Sequence, residues 1–516
     1  MDRNFKNKLF EEVKKRGLLE QEEKQSGGLK AINPMKSQLQ IVYCVIALAL
    51  CNGTTLYGQA LNAGTSKSDS SIRIVELKVN PAAEPVPAMS LRLHPSLLER
   101  KSGNAVPFYY RAVASLPAKY QDEIRPNIDK WLGTNISALP LEEVKKTLQI
   151  LQGSLRETSK ATRRFYCHWE MPLEDGMSML LPELSGFRNL IYGVRLQARM
   201  QMAEHRLEAA LNSLQTMFAM SWDMGQGPTI IQSLVATAMG QMAIQDAELF
   251  MQQPGAPNLY WALAMMPKPL VSMREAIERE QQMLTVQFPQ LAELDKKIMS
   301  AEDARILVEK LAQMLNGWNG EGNYPAKTSP EAVAFVMMVY PQAKAMLLKQ
   351  GFDPDRIEAM PSPQIALLYI VQVYQKYSQN MFKWFYAPYS VAIEKEQEFV
   401  RTMERELSSP NDALLGFLPR MLLPALSRAQ SKTCQLDRNI AALRCVEAIR
   451  MYAAQNKGKL PQTLGAITAV PVVDNPSTGQ PFSYRIEEGK AILEAPPLPG
   501  DNARSGLKYI IEILPR

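Results

Sequence analysis

The chain is predicted to be mainly α-helical: stacked helical hairpins forming a bundle or irregular solenoid, with a small α+β unit at the C-terminal end. Three observations predict this. Apolar residues recur at helical spacing through most of the span from Asn104 to about residue 430. The stretches between these segments are short and carry helix start and stop residues. Only beyond residue 431 does the pattern change to short runs that alternate like strands. With 516 residues and 46% hydrophobic side chains, the chain can bury a sizeable core.

The first element is an export signal that begins at an internal methionine. Lys36 supplies a positive start, Ile41 to Leu50 is apolar apart from Tyr43, and Gly58-Gln59-Ala60 places small residues where a signal peptidase cleaves, after Ala60. Residues 1–34 form a charged leader, so either translation starts at Met35 or the leader is a cytoplasmic tail on an uncleaved anchor. In the second case residues 39–57 contact the membrane, although ten apolar residues are short against the ~20 of a spanning helix. Leu48-Ala49-Leu50-Cys51 offers a third reading as a lipid-anchor site, with a bulky Leu50 where a small residue is wanted. All three readings place the mature chain outside the cytoplasm, in the periplasm or envelope.

Residues 61–103 read as a linker, Ser/Asn/Gly-rich to Ser70, followed by a short strand over Ile72–Val79 and a proline-rich stop from Pro81 to Pro87. Helices are then expected near 104–116, 119–132, 141–161, 184–203, 205–224, 228–252, 257–266, 270–288, 301–317, 330–350, 363–386 and 388–408. Ser300 with Asp303 makes a capping box, Ser329-Pro330-Glu331 an N-cap with a proline at the first helical position, and Gly227-Pro228 an opening. Gly351 is a C-terminal cap. In the helix from Pro228, Ile231, Leu234, Val235, Ala238, Met239, Met242 and Leu249 are expected to share one buried face. Residues 431–516 should form one helix, about Leu436–Asn456 and ending at Gly458, on a three-stranded antiparallel sheet built from Phe482–Ile486, Ala491–Leu493 and Lys508–Leu514, with a turn at Glu488-Gly489.

Charge and cysteines narrow the function classes. Residues 1–60 carry 9 Lys+Arg and 6 Asp+Glu, which leaves 49 against 46, a net charge of +3. Nothing here resembles a basic stripe for nucleic acid. Cys434 and Cys445 lie eleven residues apart on one predicted helix, about 16 Å, beyond disulfide reach. Cys167 either pairs with one of them or all three are buried thiols.

There are three histidines and no H-E-x-x-H, C-x-x-C, G-x-S-x-G, Walker A or G-x-G-x-x-G pattern, so no cofactor and no metal site is expected. Cys167, His168 and Glu170 are the candidate catalytic side chains, because a thiolate beside an imidazole can act as a nucleophile. Adjacent residues rarely aim at one atom, and an ordinary turn between helices is the alternative. Ser505-Gly506-Leu507-Lys508 fits S-x-x-K, but Lys508 should enter a strand and part from the serine. Met217 with Met220, and Met239 with Met242, have spacing that suits Cu(I) and suits core packing better. Phe382–Tyr389 is an aromatic string in which Trp384 and Tyr386 are candidate ligand contacts, as are Tyr260 and Trp261 in the string from Pro254 to Leu263. There Asn258 is expected to cap a sharp turn and Trp261 to anchor a core.

Three resemblances add expectations. Ala203–Ala210 resembles the inter-helix turn of a tetratricopeptide repeat, with His205 where that family has Gly, and no second copy follows at 34 residues. Arg444–Ala454, Gly458–Pro461 and Asp474–Tyr484 are similar to the globular tail of type II secretion pseudopilins. That likeness implies a helix entering a small sheet and a link to secretion, although about three quarters of the chain separates the piece from the apolar segment it follows in that family. Gly103–Ala112 and Gln253–Leu263 resemble strings in uncharacterised exported proteins of planctomycete-type bacteria, which implies export and a helical body but no activity. The expected function is a protein-interaction or structural component that binds other envelope proteins. The alternatives are an envelope enzyme with a dispersed active site and a secretion-apparatus accessory.

Overall fold

The computed structural model describes residues 72–171, 183–318, 330–407 and 417–515. The export signal, the cleavage point at Ala60, the leader, the linker to residue 70, and Ser329 lie outside the described residues. Among those described, no helix is long and apolar enough to cross a membrane. The fold is mainly helical with a small C-terminal sheet.

The N-terminal part runs β1 (Arg73–Val79), β2 (Lys101–Asn104), α1 (Val106–Ala114), α2 (Arg125–Leu132), α3 (Leu141–Ile150), α4 (Gln152–Ala161) and β3 (Arg164–Tyr166). The helix expected over 141–161 is two, joined at Leu151. β2 and β3 pair in parallel as a two-stranded sheet that the sequence pattern did not predict. With exposed Phe165 and Tyr166 and no apolar alternation, neither strand carries a periodic signal.

Next come α5 (Glu183–Ala203), α6 (Leu207–Met224) and α7 (Ile230–Met251), which pack on one another. The α5–α6 turn shows why the tetratricopeptide-like string tolerates its histidine. His205 itself takes the left-handed position, φ 54°, and donates its N–H to the Met202 carbonyl, while the Arg206 N–H reaches the Gln201 carbonyl. Asn, Asp and His enter this region more readily than branched residues do. Helix α7 starts at Ile230, capped by the Thr229 hydroxyl, which accepts from the Gln232 N–H at 3.1 Å.

The single buried face expected for α7 is overturned. Ala238 is exposed, Ile231, Leu234 and Leu249 are half-buried, and Gln232, Ser233, Thr237, Asp246 and Glu248 are buried. Helix α7 is enclosed on nearly all sides, and its buried polar groups are spent on contacts within the fold. Gly240 belongs to this enclosure, because a side chain there would sit 2.9 Å from Leu436.

A second helical group follows α8 (Tyr260–Ala264) and α9 (Arg274–Gln287): α10 (Ala301–Trp318), α11 (Pro330–Lys349), α12 (Pro354–Ala359) and α13 (Ser362–Phe382). The Ser300 half of the expected capping box is present, the Asp303 N–H donating to Ser300 Oγ at 3.0 Å, while the Asp303 carboxylate accepts from the Ser300 hydroxyl at 2.6 Å. Gly351 caps α11 at φ 90°, and the Gly351 and Phe352 N–H groups bond the Leu348 and Leu347 carbonyls. These helices have their own core, from Leu284 to Val371.

Then come α14 (Tyr389–Glu406) and α15 (Phe417–Gln455), followed by β4 (Ser483–Glu487), β5 (Lys490–Ala495) and β6 (Leu507–Ile513). Helix α15 is far longer than the expected Leu436–Asn456, and at its exit both Lys457, at φ 56°, and the expected Gly458, at φ 81°, are left-handed.

The sheet has four strands, in the order β1–β6–β5–β4. The expected antiparallel trio is present, with a two-residue turn in which Glu488 and Gly489 both have positive φ. The correction is β1, which pairs in parallel with β6, Arg73 opposite Leu507 and Val79 opposite Ile513. Leu77 and Val79 face the core while Ile74 faces out, because a period of two puts residues 74 and 77 on opposite sides. Nothing local in the sequence marks a partner strand most of a chain length away. One core therefore runs from Leu77 through α1–α8 to Ile511.

Candidate functional site

The sequence candidates Cys167, His168 and Glu170 do not converge. The backbone there is extended, with Cys167 and Trp169 buried and His168 and Glu170 exposed on the other side. The Asn104 side chain holds His168 by its backbone, donating to its carbonyl at 2.8 Å and accepting its N–H at 3.0 Å. What gathers around Cys167 is a packed node. Tyr109 donates to the Asp223 carboxylate at 2.6 Å, the Trp169 indole N–H to the Asp223 carbonyl at 2.9 Å, and Phe187 stands edge-on to both rings. Burial first, and Asp223 second, push the Cys167 thiol well up, so it is protonated and a poor nucleophile. Cys167, Cys434 and Cys445 are all free and buried, and the alternative of a disulfide at Cys167 is not realised. Lys508 does lie on β6, parted from Ser505.

A cleft of about 650 Å³ opens where four distant chain segments meet. Its walls are the α8–α9 connection (residues 263–274), the aromatic turn (385–389), one side of α15 (430–444) and the loop at 473–476. Four prolines stiffen it: Pro267, Pro269, Pro388 and Pro476. Proline fixes φ and brings no N–H, so such walls are rigid and apolar. Volume and lining fall within the range of ordinary ligand clefts.

The aromatic candidates distribute around this cleft unevenly. Tyr386 lines it, with the Arg274 guanidinium 5.9 Å from its ring centre and its hydroxyl donating to Glu278 at 3.1 Å. Tyr260 is buried one layer back, where Arg444 lies 5.0 Å over its ring and donates to its hydroxyl at 3.1 Å. Trp384 does not line the cleft, although its carbonyl accepts from Gln430, a lining residue, at 3.4 Å. Trp261 is not the expected core anchor: it is half-buried, and its indole N–H donates to Glu84. Asn258 does cap the turn, accepting from the Tyr260 N–H at 3.0 Å.

Sequence reasoning missed the cleft's cations, Lys268, Arg274 and Arg444. None of them has a carboxylate partner within ion-pair distance among the described residues. The two carboxylates in the lining are Asp437, which accepts from the Leu270 N–H at 3.3 Å, and Asp474. The one local signal was Lys268, held between two prolines where no helix can run. Arg444 sat inside a string matched for another reason. No group of three or more His, Cys, Asp or Glu among the described residues could hold a metal ion.

Burial pushes several carboxyl groups upward: Asp223, Glu280 and Glu396 to about 7 and Asp437 to about 6. Each then holds a proton in the folded chain that it has lost when unfolded, where its pKa is about 4. Their contribution is present at low pH, is lost as pH rises from about 4 to about 7, and is flat above that. His94, one group against four, opposes them between about pH 4 and 6.5, because burial and then Arg100 push it down from 6.5 to about 4.

The urea midpoint is therefore expected to fall between pH 5 and pH 8. Glu396 is fully buried, and burial outweighs the Ser427 hydroxyl that favours its charged form, so Glu396→Gln should raise the midpoint at pH 8 and barely move it at pH 5. A midpoint that rises with pH, or a variant effect equal at both values, contradicts this.

Comparison with known protein families, curated proteins and solved structures finds no match to this chain. Its function has to be argued from its own residues.

Proposed function

We propose that this chain is an exported binding protein of the cell envelope, a protein-interaction or structural component whose polypeptide partner docks in the cleft between the helical body and the C-terminal unit. The observation that carries this reading is the lining of that cleft. It combines rigid apolar walls with three cations that have no carboxylate partner among the described residues, an arrangement left open for a ligand. Export is supported by the sequence Met35–Ala60 alone. An envelope enzyme has less support, because the Cys167–Glu170 side chains point to opposite sides. The secretion-accessory reading rests on the resemblance at residues 444–484 alone.

The test is a photo-crosslinker in living cells, Tyr386→benzoylphenylalanine, compared with the same substitution at Tyr166, which is 54% exposed on β3 and outside the cleft. A discrete crosslinked polypeptide in the envelope fraction from position 386 and not from 166 is expected. No adduct at 386, or the same adduct from both positions, refutes the docking site. Confinement of the chain to the cytoplasmic fraction refutes export.

A further inference from the structure

The cleft's polar groups are matched to one kind of occupant. Arg444 is held in place by Tyr260, yet among the described residues it gives one of the five N–H donors of a guanidinium to the Tyr260 hydroxyl, and its Nε is buried without a partner there. Lys268 is exposed, makes no side-chain hydrogen bond or ion pair among the described residues, and lies near enough to feel Arg444. Partial desolvation against the cleft wall first, and Arg444 second, pull its ammonium below the ordinary lysine value. The three cations of the lining outnumber its two carboxylates, and an incoming anion relieves the repulsion between Lys268 and Arg444.

An anion alone leaves part of the lining unmet. Gln430 lines the same cleft and is 7% exposed; its Nε2 donates to the Trp384 carbonyl, but its Oε1 is buried with no donor among the described residues. A buried acceptor of this kind is costly until a donor reaches it. Inorganic phosphate at neutral pH carries P–O–H donors beside its acceptors, but it has no apolar surface for the proline and aromatic walls. A peptide brings both what the cations lack and what Gln430 lacks, a side-chain carboxylate and backbone N–H groups. The proline walls with Phe385 and Tyr386 offer flat apolar faces to an extended chain.

We propose that the cleft recognises an acidic, extended peptide segment of a partner protein, a carboxylate meeting Lys268 and Arg444, a backbone N–H meeting Gln430, and apolar side chains lying on the Tyr386 and proline walls. This deepens the proposed function and rests on it. Asp437 and Asp474 share the lining. They repel a carboxylate at their own positions and so confine it to the cationic side.

The test uses three fluorescein-labelled octapeptides of one frame, Gly-Tyr-Pro-X-Tyr-Pro-X-Gly with X as Glu, Gln or Lys, titrated against the full chain by anisotropy. The Glu frame is expected to bind about tenfold or more tightly than the Gln frame, with the Lys frame weakest, and its affinity should fall as salt rises. Lys268→Gln and Arg444→Gln should each bring Glu-frame binding toward the Gln-frame level and leave the Gln frame unchanged. Lys268 has no described side-chain hydrogen bond or ion pair to lose, so its variant remains informative if Arg444→Gln disturbs Tyr260. Equal binding of the Glu and Gln frames overturns the charge assignment and leaves the cleft as a binding site. Binding of none of the three, while the crosslink at position 386 still forms, overturns the acidic-peptide inference and spares the proposed function; loss of both removes both. Displacement of the Glu frame by inorganic phosphate, at an ionic strength where chloride does not displace it, overturns the peptide assignment in favour of a free anion.

Discussion

Arg450→Met is expected to lower the unfolding free energy by about 3–5 kcal/mol, the usual cost of breaking a buried ion pair from one side. Arg450 and Glu447 are both fully buried on α15, and Arg450 Nη1 donates to both carboxylate oxygens at 2.8 and 2.9 Å. The same guanidinium donates to the carbonyls of Asn80 at 3.0 Å and Ala256 at 2.8 Å. Asn258 adds bonds to the Glu447 and Ala82 carbonyls. One side chain therefore fastens the exit of β1 and the turn before α8 onto α15. Methionine fills much of the volume but leaves a buried carboxylate and several carbonyls unpaired. Urea denaturation followed by tryptophan fluorescence measures the loss. Adding Glu447→Leu should recover part of it, because the unpaired charge goes while the orphaned carbonyls remain. A loss under about 1 kcal/mol would show that water replaces the guanidinium, against its burial.

The contrast between what was legible in the sequence and what was not has a physical basis. Helices α5, α6, α10 and α11 could be read because their apolar spacing, capping box and C-terminal glycine are all local, within a few residues of the bonds they make. The parallel pairing of β1 with β6 could not, since register across most of the chain leaves no mark on either strand. Helix α7 misled because Asp246 and Glu248 look like a solvent-facing edge until their partners Arg195, Arg199, Arg73 and Tyr509 are in place. The cleft behaves in the same way. Tyr260 and Tyr386 were visible as aromatic strings. Their relation to each other, through Arg444 and α15, exists only after four segments have met. Cys167, His168 and Glu170 were singled out by adjacency, and an extended backbone turned neighbours in sequence away from one another.

Asp246→Asn is the second large effect, and it tests whether this enclosure of α7 is dry. Asp246 is fully buried and accepts from Arg195 Nε at 2.8 Å and Arg199 Nε at 3.2 Å, both arginines coming from α5 and both 3% exposed. Arg195 also reaches Gln245 at 3.2 Å, and Arg199 donates to the Leu132 carbonyl at the end of α2. One carboxylate thus serves two guanidinium groups and already leaves a surplus positive charge. Burial pulls Arg199 below its ordinary value, with Asp246 opposing that shift and Arg195 adding to it. Neutralising Asp246 leaves two like charges facing each other out of reach of solvent, and a loss of about 3–5 kcal/mol or more is expected. Surface repulsion would be screened by salt and this one should not be, so the loss measured by urea denaturation should be nearly the same at low and high ionic strength. Arg199→Met added to Asp246→Asn should restore part of the stability by removing one of the two charges. A loss that disappears in high salt would place the triad in contact with water. It would also mean that α5 and α7 are held together by their apolar neighbours Ile191, Ala198, Ala243 and Ala247, with the charges contributing little.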